Sequence, residues 1–184
     1  MPRANSIRNP LHSMHSPNPE VVIYTDGACE QNPGAGGWAA LLVCGPLRKA
    51  ISGGYRRTTN NRMELLAVIE ALRALRGGGR VVRVVSDSKY VTEAVNQGWL
   101  DGWAAKGFRK SKGIRENSDV WSQLRELLGK HAVTFVWVKG HAEHPENEQC
   151  DAMAVAARQL PDLHADAGYE DSDATNRALG LTLL

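Results

Sequence analysis

The chain has 184 residues, 42% hydrophobic and 23% charged, the size and balance of one globular domain with room for a substantial core. No apolar run approaches the ~20 residues that span a bilayer, and residues 1–19 lack the apolar centre of a secretory signal, so no membrane role is expected. Three widely spaced cysteines, Cys29, Cys44 and Cys150, form no C-x-x-C pair, which argues against a disulfide scaffold or a cysteine-built zinc site and suits a reducing cytoplasm.

The net charge of +2 is unevenly spread. Arg3 and Arg8 give residues 1–19 a charge of +2, while Asp162, Asp166, Glu170, Asp171 and Asp173 against Arg177 give residues 161–184 a charge of −4, leaving +4 for residues 20–160. A mildly basic body with an acidic tail permits a nucleic-acid partner without requiring one. Pro2, Pro10, Pro17 and Pro19 limit any helix at the start, so residues 1–19 are expected to be a disordered extension. Residues 161–184 have little to pack and are expected to be a disordered acidic tail; shielding of the basic face is a second reading.

In chain order, residues 21–24 form a short β-rich run that Asp26-Gly27 ends. A Gly/Pro-rich loop over 32–37 leads to a strand at 38–43, and Gly45-Pro46 turns into a third at 48–57. Short connections make these three antiparallel neighbours. Leu65, Ile69, Leu72 and Leu75 then mark a helical stripe that Gly77-Gly78-Gly79 stops. A strand at 81–85 precedes Ser86-Asp87-Ser88, a cap for the next helix, with helical or turn structure over 99–105. Residues 106–117 are a basic exposed loop, 118–128 a helix, 133–138 a strand and 146–160 a last helix. Strand–helix alternation in this half predicts parallel pairing through right-handed crossovers. The expected fold is α/β, a mixed five-stranded sheet, three antiparallel strands then parallel ones, flanked by helices, with residues 20–160 as its single domain.

Four acids fall at element ends: Asp26 at the end of the first strand, Glu64 in the first turn of the long helix, Asp87 just after the fourth strand and Asp151 in the first half of the last helix. Such positions can converge at one edge of an open α/β sheet. Clustered carboxylates raise one another's pKa unless a cation neutralises them, and oxygen-only donors select a hard ion such as Mg²⁺ or Mn²⁺. Each acid also has a plain structural reading: Asp26-Gly27 as a turn, Glu64 as a capping-box partner of Asn61, Asp87 as an N-cap, Asp151 as a solvated charge.

Sequence context favours the site. Tyr24-Thr25-Asp26-Gly27-Ala28-Cys29 and Asn32-Pro33-Gly34-Ala35-Gly36-Gly37-Trp38 resemble the opening of the type 1, bacterial-type ribonucleases H, also called ribonucleases HI. Thr58-Thr59-Asn60-Asn61-Arg62-Met63-Glu64-Leu65, Ser86-Asp87-Ser88-Lys89-Tyr90-Val91, Trp137-Val138-Lys139-Gly140-His141 and His144-Pro145-Glu146-Asn147-Glu148-Gln149-Cys150-Asp151 follow in the family's order. The resemblance implies an endonuclease that cuts the RNA strand of an RNA–DNA hybrid, leaving 5′-phosphate and 3′-hydroxyl ends. It implies that Asp26, Glu64, Asp87 and Asp151 hold two Mg²⁺ ions ~3.5–4 Å apart, with Mn²⁺ a possible substitute. Asp26 bridges both ions, and His141 assists proton movement or product departure. Asn32, Asn60 and Asn61 match positions that contact the minor groove, where the RNA 2′-hydroxyl is read. Thr59 and Asn117 match a DNA-strand phosphate site. Lys106, Phe108, Arg109, Lys110, Lys112 and Arg115 resemble the family's basic protrusion. Trp99 and Trp103 line a DNA channel or pack in the core; Trp38, Trp121 and Trp137 are expected in the core. Lys89 stands where the pattern often has glutamine, and Glu143 where it often has glycine. A monomer is expected. Two rivals remain: another nuclease or transposase of the same fold, and a hybrid-binding module without catalysis.

Overall fold

Short links between the first three strands leave antiparallel pairing as their only close arrangement, and this sets the left half of the sheet. The computed structural model describes residues 19–140 and 144–178. Its strands are β1 (Val21–Cys29), β2 (Gly34–Cys44), β3 (Leu47–Thr58), β4 (Val81–Ser86) and β5 (Ala132–Trp137), arranged β3-β2-β1-β4-β5. β1 pairs antiparallel with β2 and parallel with β4, and β4 pairs parallel with β5. The helices are α1 (Asn60–Arg73), α2 (Lys89–Asn96), α3 (Trp99–Ala105), α4 (Ser118–Leu128), α5 (Pro145–Ala157) and α6 (Ala167–Ala178). The mixed five-stranded fold expected from the sequence is the one observed.

The two sheet faces carry unequal cores. On one side α1, α2 and α4 cover Ile23, Val82 and Val84, with Leu65, Ile69, Trp121 and Leu124 fully buried. Burying each such side chain contributes roughly 1.5–3 kcal/mol. Helix α1 is buried continuously from Arg62 to Ile69, more than the four-residue apolar stripe alone requires, because α4 and the sheet enclose it. On the other side α5 brings Cys150 and Ala154 onto Ala39 and Leu41.

Three boundaries differ from the sequence reading. β1 runs through Asp26-Gly27 to Cys29, because Asp26 and Gly27 pair with Ala39 and Trp38 and the ladder continues to Gly36. The glycine-rich stretch belongs to β2 rather than to a loop. A Cβ on Gly37 would collide with the Ala154 carbonyl of α5, so glycine there serves close helix approach and not a turn. The third difference is the C-terminal segment. It forms α6 instead of a disordered tail, and polar contacts order it. His164 bridges to Tyr55 at the open edge of β3, its carbonyl accepting the Arg56 N–H at 2.9 Å, and Asp166 is buried against Arg62. An uncovered edge strand invites pairing with another chain, and this segment covers part of it. Residues 1–18 lie outside the described residues, so the N-terminal expectation does too.

Candidate active site

Parallel pairing places Thr25 beside Ser86, so the next residues, Asp26 within β1 and Asp87 just past the end of β4, lie at the same level. Glu64 reaches them because α1 lies directly on β1. A Cβ on Gly27 would stand 2.5 Å from the Glu64 backbone nitrogen, so only glycine permits this contact. Each of Asp26, Glu64 and Asp87 offers a carboxylate oxygen within 4.8 Å of the others. Asp26 and Glu64 are buried, and Asp87 is half-buried.

The electrostatics follow from that crowding. Burial, then the Asp87 charge and more weakly that of Asp151, push Asp26 from the ordinary 3.8 up to about 7, against the stabilising Gly27 N–H at 2.7 Å. Burial, then Asp26 and Asp87, hold Glu64 well above the usual carboxylate range. The amide of Asn60 donates to Glu64 Oε1 at 3.4 Å, while Oε2 is buried with no hydrogen-bond partner among the described residues. Such an oxygen, among mutually repelling carboxylates, fits a hard divalent cation.

Asp151 is half-buried on α5 and stands outside the tight group of three, although its charge is felt at Asp26 and Glu64. Its neighbour Cys150 donates to the Tyr24 carbonyl at 3.4 Å, tying α5 to β1 two residues before Asp26. His141 and Glu143 lie outside the described residues. The plain structural readings fail for two acids. The N-caps of α1 and α2 are Thr59 and Ser88, neither with a side-chain cap, so Glu64 forms no box with Asn61 and Asp87 is not a cap.

The asparagines expected at the groove gather beside this cluster. The Asn60 N–H donates to Asn32 Oδ1 at 3.1 Å, and Asn61 is exposed. Thr59 Oγ1 is buried without a partner, and Asn117, left-handed at φ 58, donates to the Tyr90 hydroxyl at 3.1 Å. Lys106, Arg109, Lys110 and Lys112 are exposed, with Lys110 paired to Glu116 at 2.8 Å. Phe108 is half-buried against the core, so it anchors the protrusion instead of adding a free flat surface. Trp99 is exposed; Trp103 packs edge-on to Trp121 and carries Arg115 over its ring at 3.9 Å.

Trp137 corrects another expectation. It is 44% exposed, not core, because β5 ends beyond the helical cover. Its indole N–H donates to the Asp87 carbonyl at 2.9 Å, and Lys89 sits over the ring at 4.9 Å. Arg62 also escaped the sequence reading. It is buried, gripping Asp119 and Asp166 through four bonds of 2.8 Å. The signal was there: an arginine in the first turn of a buried helix needs carboxylates.

Fold and cluster together define an α/β protein with an acidic centre suited to divalent cations. The family model for RNase H matches residues 18–159. The chain is 49% identical to a ribonuclease H of Syntrophus aciditrophicus (strain SB), over 83% of this chain and 88% of that one. It is 48% identical to a ribonuclease H of Nitratidesulfovibrio vulgaris (strain DP4), over 82% and 96%. The solved structure of LC9-RNase H1, described as a type 1 RNase H with the type 2 active-site motif, superposes with a TM-score of 0.71 at 32% identity, covering 91% of this chain and 87% of the other. The chain belongs to the ribonuclease H family of nucleases, hydrolytic enzymes.

Proposed function

We propose that this chain hydrolyses the RNA strand of RNA–DNA hybrids, leaving 5′-phosphate and 3′-hydroxyl ends, with Asp26, Glu64, Asp87 and Asp151 holding two Mg²⁺ ions. The observation that carries this is the close trio of buried Asp26, buried Glu64 and half-buried Asp87, whose mutual repulsion, with a Glu64 Oε2 that has no partner among the described residues, asks for a cation. Mn²⁺ accepts the same oxygen donors. Bound there, such ions supply water activation and charge stabilisation at the phosphodiester.

The chain's own residues do the rest. Asp26, near Glu64 and Asp87 and within reach of the Asp151 charge, would be the acid shared between the ions. Trp137 fixes the Asp87 backbone, and Asn60 orients Glu64. Asn32, Asn60 and Asn61 offer both donors and acceptors to the 2′-hydroxyl face of the hybrid. Thr59 and Asn117 take a DNA-strand phosphate, with Trp99 beside the channel. Lys106, Arg109, Lys110 and Lys112 neutralise further phosphates without reading sequence. His141, an imidazole in the family's motif, moves a proton or eases product departure. The three free thiols fit a reducing compartment, the cytoplasm. Among the described residues no helix is long and apolar enough to cross a membrane.

Purified protein with Mg²⁺ and a hybrid labelled on either strand tests the reading. The RNA strand is cut, the DNA strand is spared, duplex DNA and duplex RNA survive, and chelator stops the reaction. Equal cutting of hybrid and duplex RNA refutes the specificity.

A further inference from the structure

The ion pairs between the segment after Pro161 and the body are unequal. Asp166 is buried, accepting from both Arg62 and the Thr58 hydroxyl, which fixes the start of α6. Farther along, Glu170 meets Arg56 at 2.7 Å and Asp173 meets Arg57 at 3.0 Å, with the arginine side chains 62% and 42% exposed. Exposed pairs hold weakly and yield to salt. Helix α6 is therefore fastened by a buried cluster at one end and more lightly held beyond it, where the arginines are exposed although the Glu170 and Asp173 side chains are only 22% and 13% exposed.

What the lightly held part covers is informative. Thr59 continues β3 in extended backbone, so Arg57 and Thr59, two residues apart, project to the same side. Arg57 Nε and Thr59 Oγ1 are both buried without partners among the described residues, donors without acceptors there. Asp173 accepts from Nη2 of that arginine. Across a groove from Gly168, Tyr169 and Ser172 stand Lys110, Lys112 and Arg115 of the basic protrusion. A carboxylate thus sits on a cation beside a residue assigned above to the DNA-strand phosphate.

We propose that α6 is a built-in competitor for the nucleic-acid backbone: Asp173 on Arg57, with Glu170 on Arg56, holds the place of a phosphate until hybrid displaces the far half of the helix. Asp166 stays anchored. This rests on the hybrid-cleaving reading. Apparent affinity falls by the fraction of molecules with the site open, so release of two exposed pairs is worth about three- to tenfold in Kd.

The test titrates labelled RNA–DNA hybrid against the full-length chain with chelator present, at about 50 and 200 mM salt. Glu170→Gln with Asp173→Asn tightens binding by about three- to tenfold at the lower salt, and the gain shrinks at the higher. With Mg²⁺, KM falls and kcat is unchanged. With Arg57→Gln already in place, Asp173→Asn gives no gain. Glu20→Gln with Glu126→Gln, which removes two carboxylates from ion pairs with Arg83 and Lys130, gives none either. Unchanged or weaker binding, an equal gain in that charge control, or a gain that survives Arg57→Gln overturns the competition. A natural chain that neither binds nor cuts the hybrid refutes the proposed function instead.

Discussion

Replacing Asp26 by asparagine should stabilise the cation-free protein at alkaline pH. Asp26 is raised from 3.8 to about 7 by burial and by Asp87. A carboxyl held above its unfolded value keeps a proton in the folded state that the unfolded chain has already released. Stability is therefore full below pH 3.8, falls as pH rises through about 7, and is flat above. About three units correspond to roughly 4 kcal/mol over the whole window, of which about 3 kcal/mol is lost between about pH 5 and 8.5. For a chain of this size that is roughly 5–10 °C in Tm. Asparagine keeps the shape and removes the charge, and it also relieves Glu64, on which Asp26 acts. Thermal unfolding with chelator at the two pH values should show Asp26→Asn gaining on the natural chain by that amount as pH rises. Added Mg²⁺ should raise the natural Tm at the alkaline pH more than the variant's. A variant less stable than the natural chain at alkaline pH with chelator would mean that the cluster is not under charge strain.

The same substitution should nearly abolish turnover while leaving hybrid affinity within a few-fold, read by cleavage and by binding; retained turnover rules out a central role for Asp26. Asp166→Ala leaves Arg62 buried with only Asp119, and breaking a buried pair in this way costs about 3–5 kcal/mol in urea unfolding; a loss under 1 kcal/mol would show that α6 contributes little to the body. Gly27→Ala drives a Cβ into the Glu64 backbone, so stability falls by about 1–3 kcal/mol and turnover falls with it. Natural activity in that variant would separate helix seating from catalysis.

Between residues 20 and 160 the strands and helices were legible because their apolar periods are, and connection lengths fixed parallel against antiparallel pairing. Local signals misled where a distant partner decided the outcome. Asp26-Gly27 looks like a turn, yet Ala39 and Trp38 on β2 keep it in the ladder. Gly36 and Gly37 look like loop, yet Met63 and Ala154 press on them. Helix α6 has few apolar residues and so shows no stripe; it is held by Arg62, about a hundred residues away in the chain. Trp137 looks like core because it is aromatic, but with Val136 it stands exposed at the end of β5. The four acids stood out by their place at element ends and by their motifs; three of them, Asp26, Glu64 and Asp87, come together, and nothing in the sequence separated Asp151 from that trio.

β1 lies at the junction of the antiparallel and parallel halves, and α1 and α5 pack on its two faces. An acid on β1 can therefore be approached by acids from both helices and from the parallel neighbour β4. The same geometry would push α1 away, since Glu64 is held against like charge. Arg62 opposes this. It precedes Glu64 by two residues, ~200° around the helix, so it leaves on the opposite side. There burial alone would disfavour its charge, but Asp119 and Asp166 outweigh that and raise its pKa, while Arg62 keeps Asp119 ionised below the usual range. One turn of α1 thus carries a buried arginine held by two carboxylates on one side and a carboxylate without a cationic partner among the described residues on the other. The first fixes the helix, so the second can stay crowded without relaxing away. The acidic segment that completes the Arg62 cluster is therefore part of what holds the candidate site in shape, although it supplies none of the carboxylates of the Asp26, Glu64 and Asp87 group.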